Sequence, residues 1–303
     1  MLKNALARYV ALNRRIGFKF DAQARTLELF AEAMATQSID RIDTEQVRIW
    51  AQAAASPRSR RMRYDTIRQC AVFLHAEDSR HDVPPAGAFG RGRYPRPAPH
   101  LLDSQQIAAI TQAALDVQPQ GTISPITYHH IIGLLAATGL RVSEVVGLKR
   151  NDLTSEGLRI CDAKSGTTRT IPLHPTVTSA LSDYTRQRDR IDSTSDDLFI
   201  LRTGRAPTTT RVYVVFVKLA RQLGFRNAEG PGPRLHDLRH SFVMRVLEAH
   251  SGDRRAMDHS IAALSAYLGH RDVASTYWYM EATPTLLTNI ATASEDLFGE
   301  RAP

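Results

Sequence analysis

Residues 82–100, DVPPAGAFGRGRYPRPAPH, constrain this chain more than any other stretch. Their prolines remove backbone donors, their glycines leave φ unrestrained, and no apolar periodicity runs through them. Neither a helix nor an inner strand crosses such a segment, so it marks a boundary. At 303 residues the chain has room for two ordinary domains. The expected division is a first domain over 1–81, a connector over 82–100 and a second domain over 101–303. Arg91, Arg93 and Arg96 make the connector basic, which fits either a solvated tether or a strap along a duplex.

On the N-terminal side the apolar residues recur at helical spacing. Leu2, Ala5, Leu6, Tyr9, Leu12 and Ile16 line one face, and 22–36 repeats the pattern. Asp43, with Gln46 three residues on, reads as a helix start before Val47 and Trp50. A fourth helix over about 59–76 places Arg60, Arg61, Arg63 and Arg68 beside Ile67, Val72, Phe73 and Leu74. The spacing predicts a bundle of four short helices with a basic face.

Beyond the connector, Asp103 and Gln106 repeat the capping signature. A helix over 125–138 should end at Gly139, with a short one over 142–149. Residues 157–174 alternate around Ser165-Gly166 and read as a β-hairpin, and Leu198–Leu201 as a short strand. Helices are expected over 176–187, 209–223, 236–249, 259–268, 272–279 and 284–297. The class expected is mainly α with a small β-hairpin: a helical bundle followed by a mixed α+β domain.

A net charge of +8 points to a polyanionic partner, nucleic acid first. Only Lys3, Lys19, Lys149, Lys164 and Lys218 are lysines, so arginine carries nearly all the basic charge. Arginine gives phosphate a planar, bidentate donor that stays charged. No apolar run is long enough to span a bilayer, and the N-terminus lacks a signal-like core, so a cytoplasmic, nucleoid-associated protein is expected. Cys70 and Cys161 show no metal-like spacing and are expected to be buried free thiols.

Breaking a phosphodiester without a metal requires a nucleophile, cations around the non-bridging oxygens, a base and an acid. Arg141 follows Gly139 at a helix entry, where free backbone donors favour an anion, and Glu144 could brace it. Taken alone, such a junction is commonly a surface ion pair. In His236-Asp237-Leu238-Arg239-His240, His236 and Arg239 share a helical face. His236 and His240 also have the i, i+4 spacing of a zinc helix, but that motif needs Glu where Asp237 stands. Gly269 closes a helix before His270, and Tyr277 and Tyr279 compete as nucleophile, each otherwise an ordinary amphipathic tyrosine. Lys164, beside the hairpin turn, can release a proton as arginine cannot.

The order Arg, Lys, His-x-x-Arg, His, Tyr resembles that of the tyrosine recombinases, or phage-type integrases. ATGLRVSEVVGLKRNDL is similar to the first box of that family, HDLRHSF to its second and LGHRDVASTYWYM to its third. The likeness covers about 101–290. The N-terminal bundle matches the family's core-binding domain in size and helical content only. The resemblance implies a site-specific recombinase or integrase that cleaves and rejoins DNA through a 3′-phosphotyrosyl link, with no ATP, metal or other cofactor. It implies that Arg141 and Arg239 clamp the phosphate, Lys164 acts as general acid, His236 shares the proton of the nucleophile and His270 donates to a phosphate oxygen. Glu144 is implied in support, and Tyr279, nine residues after His270, as nucleophile. The implied partners are double-stranded DNA with paired sites and a homo-tetramer, or a mixed assembly with related recombinases. The C-terminal helix, with Leu286, Leu287, Ile290 and Leu297, would pack locally or onto a neighbouring protomer. Three other readings stand beside this one: a type IB topoisomerase, a non-catalytic architectural DNA binder and a zinc hydrolase.

Overall fold

Side-chain caps fix where the helices begin. Asp43 accepts from the Gln46 backbone N–H at 2.9 Å and starts a helix over Thr44–Gln52. Ser56 caps Ser59 at 3.1 Å, with Pro57 at the first helical position. Asp103 and Gln106 satisfy each other's backbone donors at 2.8 and 3.1 Å, a reciprocal capping box. The computed structural model describes residues 2–90, 99–161, 168–191, 194–228, 230–249 and 254–269, and its two units span 1–96 and 97–303.

The first unit contains α1 (Leu2–Arg15), α2 (Asp21–Ala35), α3 (Thr44–Gln52) and α4 (Pro57–Glu77). Their apolar stripes meet in a core that includes Leu6, Leu27, Phe30, Val47, Ile67 and Leu74, all buried. Each such side chain contributes roughly 1.5–3 kcal/mol of burial. The first half of the expected connector is tied to the bundle, although most of its side chains stay exposed. The Asp82 N–H donates to Ile42 O at 2.9 Å, and the Tyr64 hydroxyl to Pro85 O at 3.0 Å. Phe89 sets its ring edge-on to Tyr64 at 5.3 Å.

The second unit is built round α6 (Ile123–Thr138), apolar on nearly every face and therefore central. It is packed by α5 (Ser104–Ala113), α8 (Pro175–Arg188), α9 (Thr209–Gln222) and α10 (Asp237–Glu248). The short α7 (Val142–Val146) follows α6, and α11 (Arg254–Leu268) packs on α10 through Val243, Leu247, Ile261 and Leu264. Between α7 and α8 lies an antiparallel sheet of β1 (Leu153–Thr154), β2 (Gly157–Cys161) and β3 (Thr168–Ile171). Leu158 pairs with Ile171 and Cys161 with Thr168, so the expected hairpin is present. Its turn, with Lys164, lies outside the described residues. The expected class, mainly α with a small antiparallel sheet, is the class found.

Two expectations need correction. Cys70 is buried, but Cys161 is exposed, because β2 alternates and position 161 falls on its outer face. Residues 198–201 form no strand. They are a buried irregular segment whose polar groups are met one by one. Leu198 N donates to Leu148 O at 2.8 Å, Ile200 N to the Tyr184 hydroxyl at 3.1 Å, and Thr127 Oγ1 to Ile200 O at 2.6 Å.

Gly139 ends α6 at φ +61°, and a Cβ there would lie 2.5 Å from Phe242 Cδ1. Gly139→Ala therefore carries both a left-handed penalty and a clash, and should lower stability by about 2–4 kcal/mol. Gly133, inside α6, would place its Cβ at an ordinary 3.7 Å from Thr111. Gly133→Ala should raise stability by about 0.5–1 kcal/mol. Urea unfolding midpoints of the two variants check both signs.

Candidate active site

The turn from α6 into α7 presents Arg141. Its backbone carbonyl accepts from Glu144 N at 2.9 Å, and its N–H donates to Glu144 Oε2 at 2.8 Å. The other carboxylate oxygen, Oε1, accepts from Arg141 Nη1 at 3.1 Å. The Glu144 side chain is only 7% exposed, whereas that of Arg141 is 39% exposed. A buried carboxylate thus holds the arginine from behind while the guanidinium faces outward.

His236 and Arg239 stand at the start of α10. Arg239 is buried, and its guanidinium donates to Gly139 O at 2.8 Å through Nη1 and to Leu268 O at 3.1 Å through Nη2. One carbonyl lies two residues before Arg141 and the other two residues before His270. Arg239 consequently joins the end of α6 to the end of α11 across α10. Arg245, two turns further along α10, donates to Ala136 O at 2.9 Å. The entrance to α10 is itself clamped. Asp237, fully buried, accepts from Arg234 N at 2.8 Å, Nε at 3.1 Å and Nη2 at 2.8 Å.

Sequence reasoning missed one member of this cluster. Arg169 on β3 donates through Nε to Tyr267 O at 2.9 Å and through Nη2 to Glu144 Oε1 at 2.9 Å. A signal was available in the alternation of the strand. Position 169 shares its face with the buried Ile171, so an arginine there points inward and needs partners.

The rings of His236 and His240 meet edge to face at 4.7 Å. Enclosure by the surrounding protein lowers the pKa of His236, and the charges of Arg239, Arg234 and Arg141 add to that against Asp237. Burial pushes the pKa of His240 down to about 4, helped by His236, Arg234 and Arg239. A cleft of about 430 Å³ opens beside them, lined by Val142, Thr209, Tyr213, Arg234, His236 and Arg239 among others.

Of the expected site residues, Arg141, Glu144, His236 and Arg239 are brought together. Lys164, His270 and Tyr279 lie outside the described residues, as do Tyr277, the helices expected over 272–279 and 284–297, and Arg91, Arg93 and Arg96. In the other unit, on α4, Arg60 donates to Ala54 O at 2.9 Å and Arg61 pairs with Asp65 at 3.4 Å. Arg63 stacks its guanidinium over Trp50, 4.7 Å from the ring centre. Among the described residues no group of three or more His, Cys, Asp or Glu side chains is placed to hold a metal ion. No described helix is long and apolar enough to cross a membrane.

The profile of the phage integrase family matches residues 100–285. A Sinorhizobium fredii protein, y4rB, an integrase/recombinase by name, is 32% identical over 296 residues, covering 94% of this chain and 94% of its own. The tyrosine recombinase XerC of Xanthomonas campestris is 29% identical over 255 residues, covering 82% of this chain and 73% of its own. Two solved structures share the fold. The site-specific recombinase XerH bound to a palindromic difH substrate has a TM-score of 0.67 at 18% identity, covering 97% of this chain and 85% of that one. The Tn1549 transposon integrase in complex with transposon right-end DNA has a TM-score of 0.65 at 16% identity, covering 98% and 99%.

The depressed pKa of His240 makes folding pH-dependent. A histidine that binds its proton more weakly when folded contributes stability in full above its unfolded pKa of 6.5 and loses it as pH falls to about 4. Wild-type protein should lose roughly 2 kcal/mol between pH 7 and pH 4.5 through this group. His240→Gln should flatten the slope by that amount in urea titrations at the two pH values. An unchanged slope would mean that His240 is not the group responsible.

Proposed function

Because the chain belongs to the phage integrase family of tyrosine recombinases, enzymes that cleave and rejoin DNA strands, we propose that it is a site-specific recombinase acting through a 3′-phosphotyrosyl intermediate. One observation carries this reading. The buried Arg239 spans Gly139 O and Leu268 O, and so holds the Arg141 turn and the segment leading to His270 about a single guanidinium.

In the proposed reaction the Tyr279 oxygen attacks a DNA phosphorus and the bond to the 5′ oxygen breaks. The phosphate gains a second negative charge in the transition state, and Arg141 and Arg239 stabilise it. His236 accepts or shares the phenol proton, and its lowered pKa keeps the ring unprotonated beforehand. Lys164 gives a proton to the departing 5′ oxygen, His270 donates to a non-bridging oxygen, and Glu144 steadies Arg141. The products are a tyrosyl phosphodiester and a free 5′-hydroxyl, which then attacks the phosphotyrosine of a partner strand. Bond energy is conserved in the covalent link, so the scheme uses no ATP, and the arginine clamp takes the part that metal ions play in other phosphoryl transfers.

The proposed substrate is duplex DNA carrying paired sites, acted on in the cytoplasm by four protomers. Two kinds of support stand behind this: the net charge of +8 and the likeness to a lambda integrase tetramer bound to a Holliday junction, at 18% identity and a TM-score of 0.64. Arg60, Arg61 and Arg63, with Arg91, Arg93 and Arg96, are the proposed sequence-independent phosphate contacts.

A nicked suicide substrate carrying the DNA that flanks the gene tests the chemistry. Wild-type protein and Tyr277→Phe should form a covalent adduct that survives SDS, and Tyr279→Phe should form none. Adducts at the wild-type level from Tyr279→Phe would remove the nucleophile assignment. Recombination between two sites, rather than relaxation of a supercoiled circle alone, separates this function from that of a topoisomerase.

A further inference from the structure

Arg169 belongs to none of the three boxes, yet it joins the first of them to the residue that immediately precedes the third. Its Nη2 meets Glu144 Oε1, the oxygen that also receives Arg141 Nη1, and its Nε meets Tyr267 O in the last turn of α11. The next carbonyl of that turn, Leu268 O, is the one that Arg239 occupies. Two guanidiniums therefore cap the C-terminal end of one helix, where unpaired carbonyls concentrate negative potential. The approach is close. At Gly269, φ +63°, a Cβ would fall 2.9 Å from Arg169 Nη1. The Arg169 side chain is only 18% exposed, and on β3 it pairs with Ile160 of β2 and shares its face with the buried Ile171.

We infer that Arg169 is a positioning residue of the strand-transfer site. Its planar fork fixes the spacing between the Arg141–Glu144 pair and the end of α11, from which the chain runs on to His270 and Tyr279. This rests on the recombinase reading above. The fork geometry matters here, since one group donates to a carboxylate and a carbonyl at once. A lysine is a point charge and satisfies the carboxylate without holding the same spacing.

Single-turnover cleavage of a saturating suicide substrate, measured beside single-site affinity and thermal unfolding, tests the assignment in the full-length protein. Arg169→Ala should slow cleavage about 100-fold and Arg169→Lys about 10-fold, with single-site affinity unchanged, because misplacement of reacting groups lowers the rate rather than binding. Because Glu144 also holds Arg141, the losses of Glu144→Gln and Arg169→Ala should combine to less than their product, and fully multiplicative losses would mean that the shared Oε1 contact does not couple them. Should the alanine variant fail to fold, the lysine variant carries the comparison. Cleavage at the wild-type rate in both folded variants overturns the inference, as does a loss that only tracks the folded fraction. If wild-type protein itself forms no adduct, the strand-transfer reading falls, and this inference with it.

Discussion

Everything in the second unit that bears on chemistry depends on how one buried charge is kept. Arg239 is 3% exposed, and an unpaired cation at that depth would cost several kcal/mol. It is retained because the chain aims two backbone carbonyls at it, Gly139 O and Leu268 O, both at helix ends. Carbonyls there have no partner inside their own helix and carry the negative end of the helix dipole. The cation and the two helix ends solve each other's problem. The consequence is geometric: three helices meet at a fixed point, and the segment after each helix end leaves from it.

Around that point, charge is arranged in pairs that differ in burial. Glu144 and Asp237 are buried, at 7% and 0% side-chain exposure, and each is bound by arginine. Their partners Arg141 and Arg234 are more exposed, at 39% and 36%. A buried carboxylate orients an arginine without taking its outer face out of use. Were the burial reversed, the acids would meet an incoming phosphate first and repel it. Four guanidiniums, on Arg141, Arg169, Arg234 and Arg239, stand against two carboxylates, which leaves the cluster positive and suited to an anion.

Much of this was legible in the sequence because the signals are local. Asp43, Asp103 and Gly139 mark helix boundaries by chemistry that acts within four residues, and each does so in the structure. Arg141, Glu144, His236 and Arg239, which the structure brings together, could be singled out because their boxes are short and ordered. What stayed hidden depends on contacts distant along the chain. Arg169 meets residues 25 and 98 positions away, and only the parity of β3 hinted at it. Leu198–Leu201 is apolar and short, and a run of that kind cannot separate a strand from a buried irregular segment. Its backbone is satisfied by Tyr184 and Thr127, whose hydroxyls no local pattern points toward. Phe89 likewise gave no warning that the connector's first half would join the bundle.

The division between arginine and the titratable residues has its own logic. A guanidinium holds its proton at any working pH, so Arg141, Arg169, Arg234 and Arg239 supply fixed charge and fixed geometry but no proton transfer. The arginines that hold the frame also act on His236, the residue proposed to move a proton. Enclosure and the positive charges of Arg239, Arg234 and Arg141 lower the pKa of His236, which keeps the imidazole uncharged at neutral pH. A bound phosphate reverses part of this field. Its negative charge would offset the guanidiniums and raise the affinity of the ring for a proton, as the proposed reaction requires when the nucleophile releases one. In the proposed reaction, substrate binding and proton acceptance are thereby linked through the same charges.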